Sequence, residues 1–421
     1  MRRVPLSEKI DSPLVMPVQV AAWAFFILPT VRLLVFRITG FAIPLSAQLA
    51  VVTLSALAYL LVSRPAFQIP RPTLTGVALL LAAFATYLFA GVSSNTPAAL
   101  LGTAWIYFVA PCCAMLIGTI VADKTAVRVV PHASEIVERW LTISTLCVLV
   151  GITINAADLT LLGDAYFSVY ESFGTTAAAS FAGLTLPRLA GAYFSGLDLT
   201  FAVVLLFVIQ SSRGRRFSLV TQLILYTAVL LTFTRNAYVI LVLWLVLARI
   251  SDKNVARFAS TAYLLSPLLS LGVMASLAMQ AASGQLEPNA ETSSLLTRLS
   301  SWLTIADAIL TNPTASLYGL GLTQNALVPG ESDIYAIDNF FWELICYGGA
   351  VAFIAYGLLY HTVRQQALAQ ASAAGRIALM LTALIPIAGI FNNMAGTMLA
   401  FALFLCYGLL GAQRTPSVRS G

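Results

Sequence analysis

A chain of 421 residues that is 59% hydrophobic, only 10% charged and +0.88 in mean hydropathy lies outside the range of soluble globular domains. Its net charge of +6 is spread over helix ends, which points away from nucleic acid as a partner. A bilayer leaves backbone groups no water to bond, and the unbroken apolar runs select membrane-spanning helices over a closed barrel.

Apolar windows of about 17 to 25 residues predict spans at roughly 14 to 36, 41 to 63, 74 to 93 and 98 to 122. Further spans follow at roughly 140 to 157, 197 to 211, 217 to 233, 235 to 250, 258 to 279, 338 to 361, 376 to 392 and 396 to 412. The fold class is therefore all-α and polytopic: about twelve transmembrane helices in one integral membrane domain, residues 1–421. Met1-Arg2-Arg3 runs into acidic and polar residues before the first apolar stretch, so no cleavable signal peptide is expected.

With the N-terminus inside, the cytoplasmic segments collect Arg64, Arg71, Lys124, Arg128, Arg139, Arg213, Arg215, Arg216, Arg249, Lys253, Arg257, Arg364 and Arg376, besides the basic residues of both ends. That is the bias the positive-inside rule predicts, and it makes both termini cytoplasmic. Arg32, Arg37, Arg188, Arg235 and Arg298 remain on the outer half. Two external loops are long, 158–196 and 280–337, and loops of that length between packed spans carry function or are disordered. Their apolar and aromatic residues, among them Tyr166, Phe173, Trp302 and Ile309, predict short surface helices packed on the bundle.

The five cysteines fall in apolar stretches with no metal-ligand spacing, and His132 and His361 belong to the cytoplasmic side, so neither a structural disulfide nor a metal or other cofactor is expected. Chemistry is sought instead among the outer arginines. Arg235 follows Leu231-Thr232-Phe233-Thr234 between two spans with almost no loop, Arg188 precedes a span, and Arg298 opens a helical stretch in the second loop. Three such forks facing one cavity suit a pyrophosphate, because guanidinium gives bidentate, charge-assisted bonds and does not titrate. The bland reading is snorkelling or pairing with Asp198, Asp307 or Glu291. Arg32 and Arg37 are read as helix-end anchors.

Most outer carboxylates read as solvated loop charges. Asp338 stands at the mouth of an apolar span, where it can serve as a general base or as a helix N-cap. Glu331 and Asp333 are reserves for the base. Glu343 lies one to two turns further in, a functional candidate or the partner of an arginine. Gly319-Leu320-Gly321 lacks the rest of a phosphate loop and reads as a turn permitting close backbone approach. Asn392-Asn393 reads as a connecting turn, with sugar binding as the alternative.

Taken together these residues resemble the superfamily of O-antigen ligases and polymerases. Four elements carry the resemblance in order: Arg188 with Gly191; Leu231-Thr232-Phe233-Thr234-Arg235; Arg298-x-x-x-Trp302 with Asn312-Pro313 and Gly319-x-Gly321; and Asp338-Asn339 before a span containing Gly348-Gly349. The match covers about 180 to 360. It implies a GT-C-like architecture in the bacterial inner membrane and an inverting, metal-independent glycan transfer at the periplasmic face. Glycan on undecaprenyl pyrophosphate would be the donor, with membrane lipids and a chain-length regulator as further candidate partners. Arg188 and Arg235 carry over as pyrophosphate binders, with Arg298 as a third; Asp338 is the base by its own position in the chain, and Trp302, Asn339, Glu331 and Asp333 are taken with Arg298 as substrate-binding residues. Ligases of the superfamily have histidine where this chain has Asp338, which favours a Wzy-type polysaccharide polymerase over a ligase. A transporter of lipid-linked saccharide is the alternative from another class.

Overall fold

The computed structural model describes residues 11–39, 50–51, 53–58, 62, 69–91, 97–125, 130–157, 178–181, 184–187, 189–193, 195–284, 293–321, 339–370, 372–390, 392, 394 and 397–413. Six helices in it are long and apolar enough to cross a bilayer. Helix α1 runs from Val15–Ala22 through a π-helical turn, Trp23–Ile27, into Leu28–Thr39. Helix α2 is Arg71–Gly91, and α3 joins Pro97–Ala104 to Ala110–Thr125 through a second π turn, Trp105–Val109. The others are α4 (Ala133–Ala157), α8 (Asp252–Ala282) and α11 (Phe340–Ala369). Five shorter apolar helices complete the set: α5 (Gly196–Ser212), α6 (Leu219–Leu230), α7 (Arg235–Leu247), α12 (Ala373–Ala388) and α13 (Met398–Gln413). The chain is thus built as a helical multi-pass membrane protein. The predicted span at 41–63 lies mostly outside the described residues.

Local chemistry sets these boundaries. Ser195, Ser218 and Ser372 each accept a backbone N–H from the first turn of the helix they precede, on Asp198, Thr221 and Gly375. Helices α5, α12 and α13 are apolar on every face and are enclosed by their neighbours, whereas α8 leaves Leu264, Leu265, Leu268 and Leu269 exposed, as a lipid-facing helix does. The tightest crossing joins α3 and α13: a Cβ on Gly118 would strike the carbonyl of Leu405, and one on Gly408 the carbonyl of Met115. Small residues let helix backbones approach where lipid supplies no hydrophobic drive.

The bundle has two poles. At one, Arg213 donates to Asp11 (2.9 and 2.8 Å) and to Glu138 (2.8 Å), and Arg215 donates to Glu138 at 3.1 Å. Because α4 and α5 each run from this cluster to the other end, the segment 189–196 and the turn 231–234 form the opposite pole. The second loop contributes two helices there, α9 (Ser293–Thr311) and α10 (Pro313–Tyr318), as its aromatic content predicts. In the first loop the stretch 158–177, whose aromatic residues predict surface helices, lies outside the described residues. It is followed by an antiparallel hairpin that the sequence does not announce, β1 (Ala178–Phe181) paired with β2 (Leu184–Pro187). Pairing satisfies backbone groups of both strands.

Candidate functional site at the loop-bearing pole

The strap after the hairpin is held by buried polar contacts. Asn155, near the end of α4 and fully buried, accepts from the N–H groups of Ala190 (2.8 Å) and Gly191 (3.1 Å). Arg32 donates to the carbonyl of Ala192 at 3.2 Å, and Tyr193 donates to that of Phe25 at 2.9 Å. The strap is then tied to the next helix junction: Leu189 donates its N–H to the carbonyl of Leu231 at 3.0 Å. Gly196 faces Thr232 so closely that a Cβ there would come within 2.6 Å of the threonine Cβ.

That junction is strained. Phe233 adopts φ +47, in a region that costs an L-residue roughly 1–2 kcal/mol. The strain turns the chain straight into α7, whose N-cap, Thr234, makes no side-chain capping bond. Arg235 is the first residue of this helix and is exposed; among the described residues its guanidinium has no hydrogen-bond or ion-pair partner. A guanidinium at the positive end of a helix dipole is equipped to hold an anion.

A second tie leads across the pole. Asn236 donates to the side-chain carbonyl of Asn392 at 3.1 Å, and Asn392 donates to the carbonyl of Ala388 at 2.9 Å. The turn after α12 therefore touches the start of α7. It also holds the start of α11. Phe340 donates its N–H to Gly389 at 2.8 Å, and the Asn339 amide donates at 2.6 Å both to Ser270 Oγ and to the carbonyl of Ile390. The Asn339 carbonyl oxygen accepts from Phe341 and Trp342 at 3.0 and 3.1 Å, making Asn339 the N-cap. The capping job considered for Asp338 is thus done by its neighbour.

Helix α11 is interrupted. Gly348 (φ −142, ψ 16) and Gly349 (φ 60, ψ −155) leave helical geometry, separating the two turns Phe340–Tyr347 from the longer remainder. The second loop fills the gap. Leu320 donates its N–H to the carbonyl of Cys346 at 2.7 Å, and a Cβ on Gly319 would lie 2.7 Å from that oxygen and 2.8 Å from the Gly348 nitrogen. A Cβ on Gly349 would strike the Leu317 carbonyl, and one on Gly321 the backbone of Ala90 and Gly91. The turn read from Gly319-Leu320-Gly321 is therefore a backbone plug, seated between α2 and the break in α11.

Buried beside the break is Glu343, which accepts a hydrogen bond from Tyr107 at 3.0 Å. Tyr107 belongs to the π turn of α3, and its backbone carbonyl accepts from Tyr356 at 2.5 Å. Tyr107 and Tyr347 meet edge-on with ring centres 4.6 Å apart, and Tyr87 meets Tyr347 at 6.1 Å.

Of the residues singled out from sequence, Asn339 bonds the turn after α12, and so does Asn236, the neighbour of Arg235. Asn339 is fully buried and all its amide atoms are engaged by protein. Trp302 is buried in the core, and Arg298, one turn earlier on α9, is half-buried. Helix α9 packs on α8, α10 and α11, whereas α7 packs on α5, α6 and α12, so Arg298 and Arg235 belong to different walls. Arg188, Asp338, Glu331 and Asp333 lie outside the described residues, as does Asn393.

Arg32, read from sequence as a helix-end anchor, is instead buried against the strap and lies within electrostatic reach of Asp198; its place in the middle of an apolar run was the available signal. One feature escaped the sequence reading. The Gly389–Asn392 turn joins both helix starts, a role that Asn392 alone does not announce. No family model, curated protein or solved structure matches this chain.

Proposed function

We propose that the protein is a glycosyltransferase of the polysaccharide-polymerase kind, moving a growing glycan from undecaprenyl pyrophosphate onto the next lipid-linked repeat unit. The reaction is inverting and uses no metal. It takes place at the periplasmic face of the bacterial inner membrane in a chain of about twelve spans with both termini cytoplasmic. Arg235 and Arg188 offset the charge on the leaving pyrophosphate, and Asp338 takes the proton of the acceptor hydroxyl. Arg298 lines the donor path, with Glu331 and Asp333 as further acceptor contacts.

The observation that carries this reading is the pair of ties at one pole. Leu189, next to Arg188, bonds Leu231 in the junction that leads to Arg235, and the turn after α12 holds both Asn236, next to Arg235, and Asn339, next to Asp338. Residues far apart in the chain that are adjacent to three candidate groups thus share one corner. The departing pyrophosphate and the accepting base need that proximity.

The deciding experiment supplies purified protein with lipid-linked repeat extracted from cells lacking it. A ladder of products that disappears in Arg235→Ala and Arg188→Ala, with both variants folded, supports the polymerase. A single transferred glycan without a ladder points to a ligase.

One observation favours a second reading. A broken α11 with a buried carboxylate resembles the discontinuous helices of transporters. Against it, the free carbonyl at the break is already bonded by Leu320. Transbilayer movement of the lipid-linked saccharide without new glycosidic bonds would select transport.

A further inference from the structure

We infer that Asn339 is a positioning residue of the site, acting through its bond to the carbonyl of Ile390. The inference rests on the transferase reading. Capping alone needs only the Asn339 carbonyl oxygen, which accepts from Phe341 and Trp342. Its amide nitrogen does something else: it donates at 2.6 Å to Ser270 on α8 and at 2.6 Å to Ile390. Ile390 belongs to the same turn whose Asn392 bonds Asn236, next to Arg235.

The start of α11 and the start of α7 are therefore both tied to the turn after α12, one through its backbone and the other through the Asn392 side chain. Phe340 adds a second backbone bond, to Gly389, at 2.8 Å. The Asn339 end of the clamp is buried, so water cannot substitute for a lost partner there. The clamp ties the first residues of α11 to the helix start that carries Arg235. A misplacement of about 1 Å of a group that contacts the reacting atoms costs on the order of a hundredfold in rate.

Asn339→Asp isolates the effect. A carboxylate still caps the helix and can accept from the Ser270 hydroxyl, but it faces the Ile390 carbonyl oxygen with no proton to share. In the ladder assay with extracted lipid-linked repeat, run below the melting temperature of every variant, Asn339→Asp should keep its KM within about twofold and lose about 10- to 100-fold in kcat, with a lowered melting temperature because the Ile390 carbonyl loses its buried donor. Asn392→Ala, which cuts the other half of the clamp, should lose kcat in the same way and decides the matter if Asn339→Asp does not fold.

Arg235→Ala is run beside them. Loss of the ladder in Arg235→Ala with wild-type kcat in the clamp variants overturns the positioning role and leaves the transferase reading standing. A kcat loss as large in Arg213→Met, which is destabilised at the far pole, also overturns it, since the fall would then reflect stability alone. A wild-type ladder in Arg235→Ala removes the functional reading, and the inference with it.

Discussion

The N–H of Leu320 bonds the carbonyl of Cys346 at 2.7 Å, so a turn of the second long loop completes the hydrogen bonding that the break in α11 interrupts. A helix broken within the bilayer leaves backbone groups that hydrocarbon cannot satisfy, at several kcal/mol each. Loop and helix are in this sense one element, and their glycines form its contact surface.

Gly349→Ala should therefore be among the most damaging small substitutions. The new Cβ meets the Leu317 carbonyl at a backbone φ of +60, combining overpacking with a conformation alanine resists. The expected cost is about 2–5 kcal/mol, read as a lowered melting temperature in detergent. Gly102→Ala, where nothing lies within 4 Å of the new Cβ, should leave the melting temperature level or slightly higher.

At the other pole, Arg213→Met strands the Asp11 carboxylate, whose residue is only 2% exposed. Breaking a buried pair from one side costs about 3–5 kcal/mol. Replacing both, Arg213→Met with Asp11→Leu, should restore part of that loss. Equal instability in the single and double variants would show that Glu138 and Arg215, rather than Asp11, depend on the arginine.

Asn155→Ala removes the acceptor for two buried N–H groups of the strap, on Ala190 and Gly191. At roughly 1–3 kcal/mol per stranded group, the strap should loosen, and limited proteolysis should cut the segment 178–196 sooner than in wild type. Unchanged cleavage would mean the hairpin and the Leu231 bond hold it unaided.

Arg235→Lys tests the chemistry of the anion site. Alanine should cost about 10- to 100-fold in kcat/KM, the worth of one charge-assisted contact, and lysine should recover only part because a point charge replaces a fork. Full recovery with lysine would mean that charge alone matters there.

Much of this architecture is legible along the chain because it is local. Apolar runs place the helices, and serines before α5, α6 and α12 mark where they begin. Asp338 and Asn339 are both good caps, however, and only the partners Ser270 and Ile390 distinguish which of them takes the role. Gly348 and Gly349 are visible in the run, but a glycine pair becomes a break only when something seats against it, and Gly319 is about thirty residues away. The Asp11–Arg213 pair spans 202 residues, and the π turns at Trp23–Ile27 and Trp105–Val109 carry no compositional mark. Contacts of that separation are set by packing, which periodicity does not encode.

The plug also bears on how the molecule is born. Its seat is made from α2, which leaves the ribosome long before it, and from Gly349, which leaves after it. Translated in order, the stretch 313–321 must wait in the aqueous compartment until the following span has been inserted. An excised peptide of the second loop should then be unstructured in water, and wild-type chains truncated before residue 349 should expose that loop to protease.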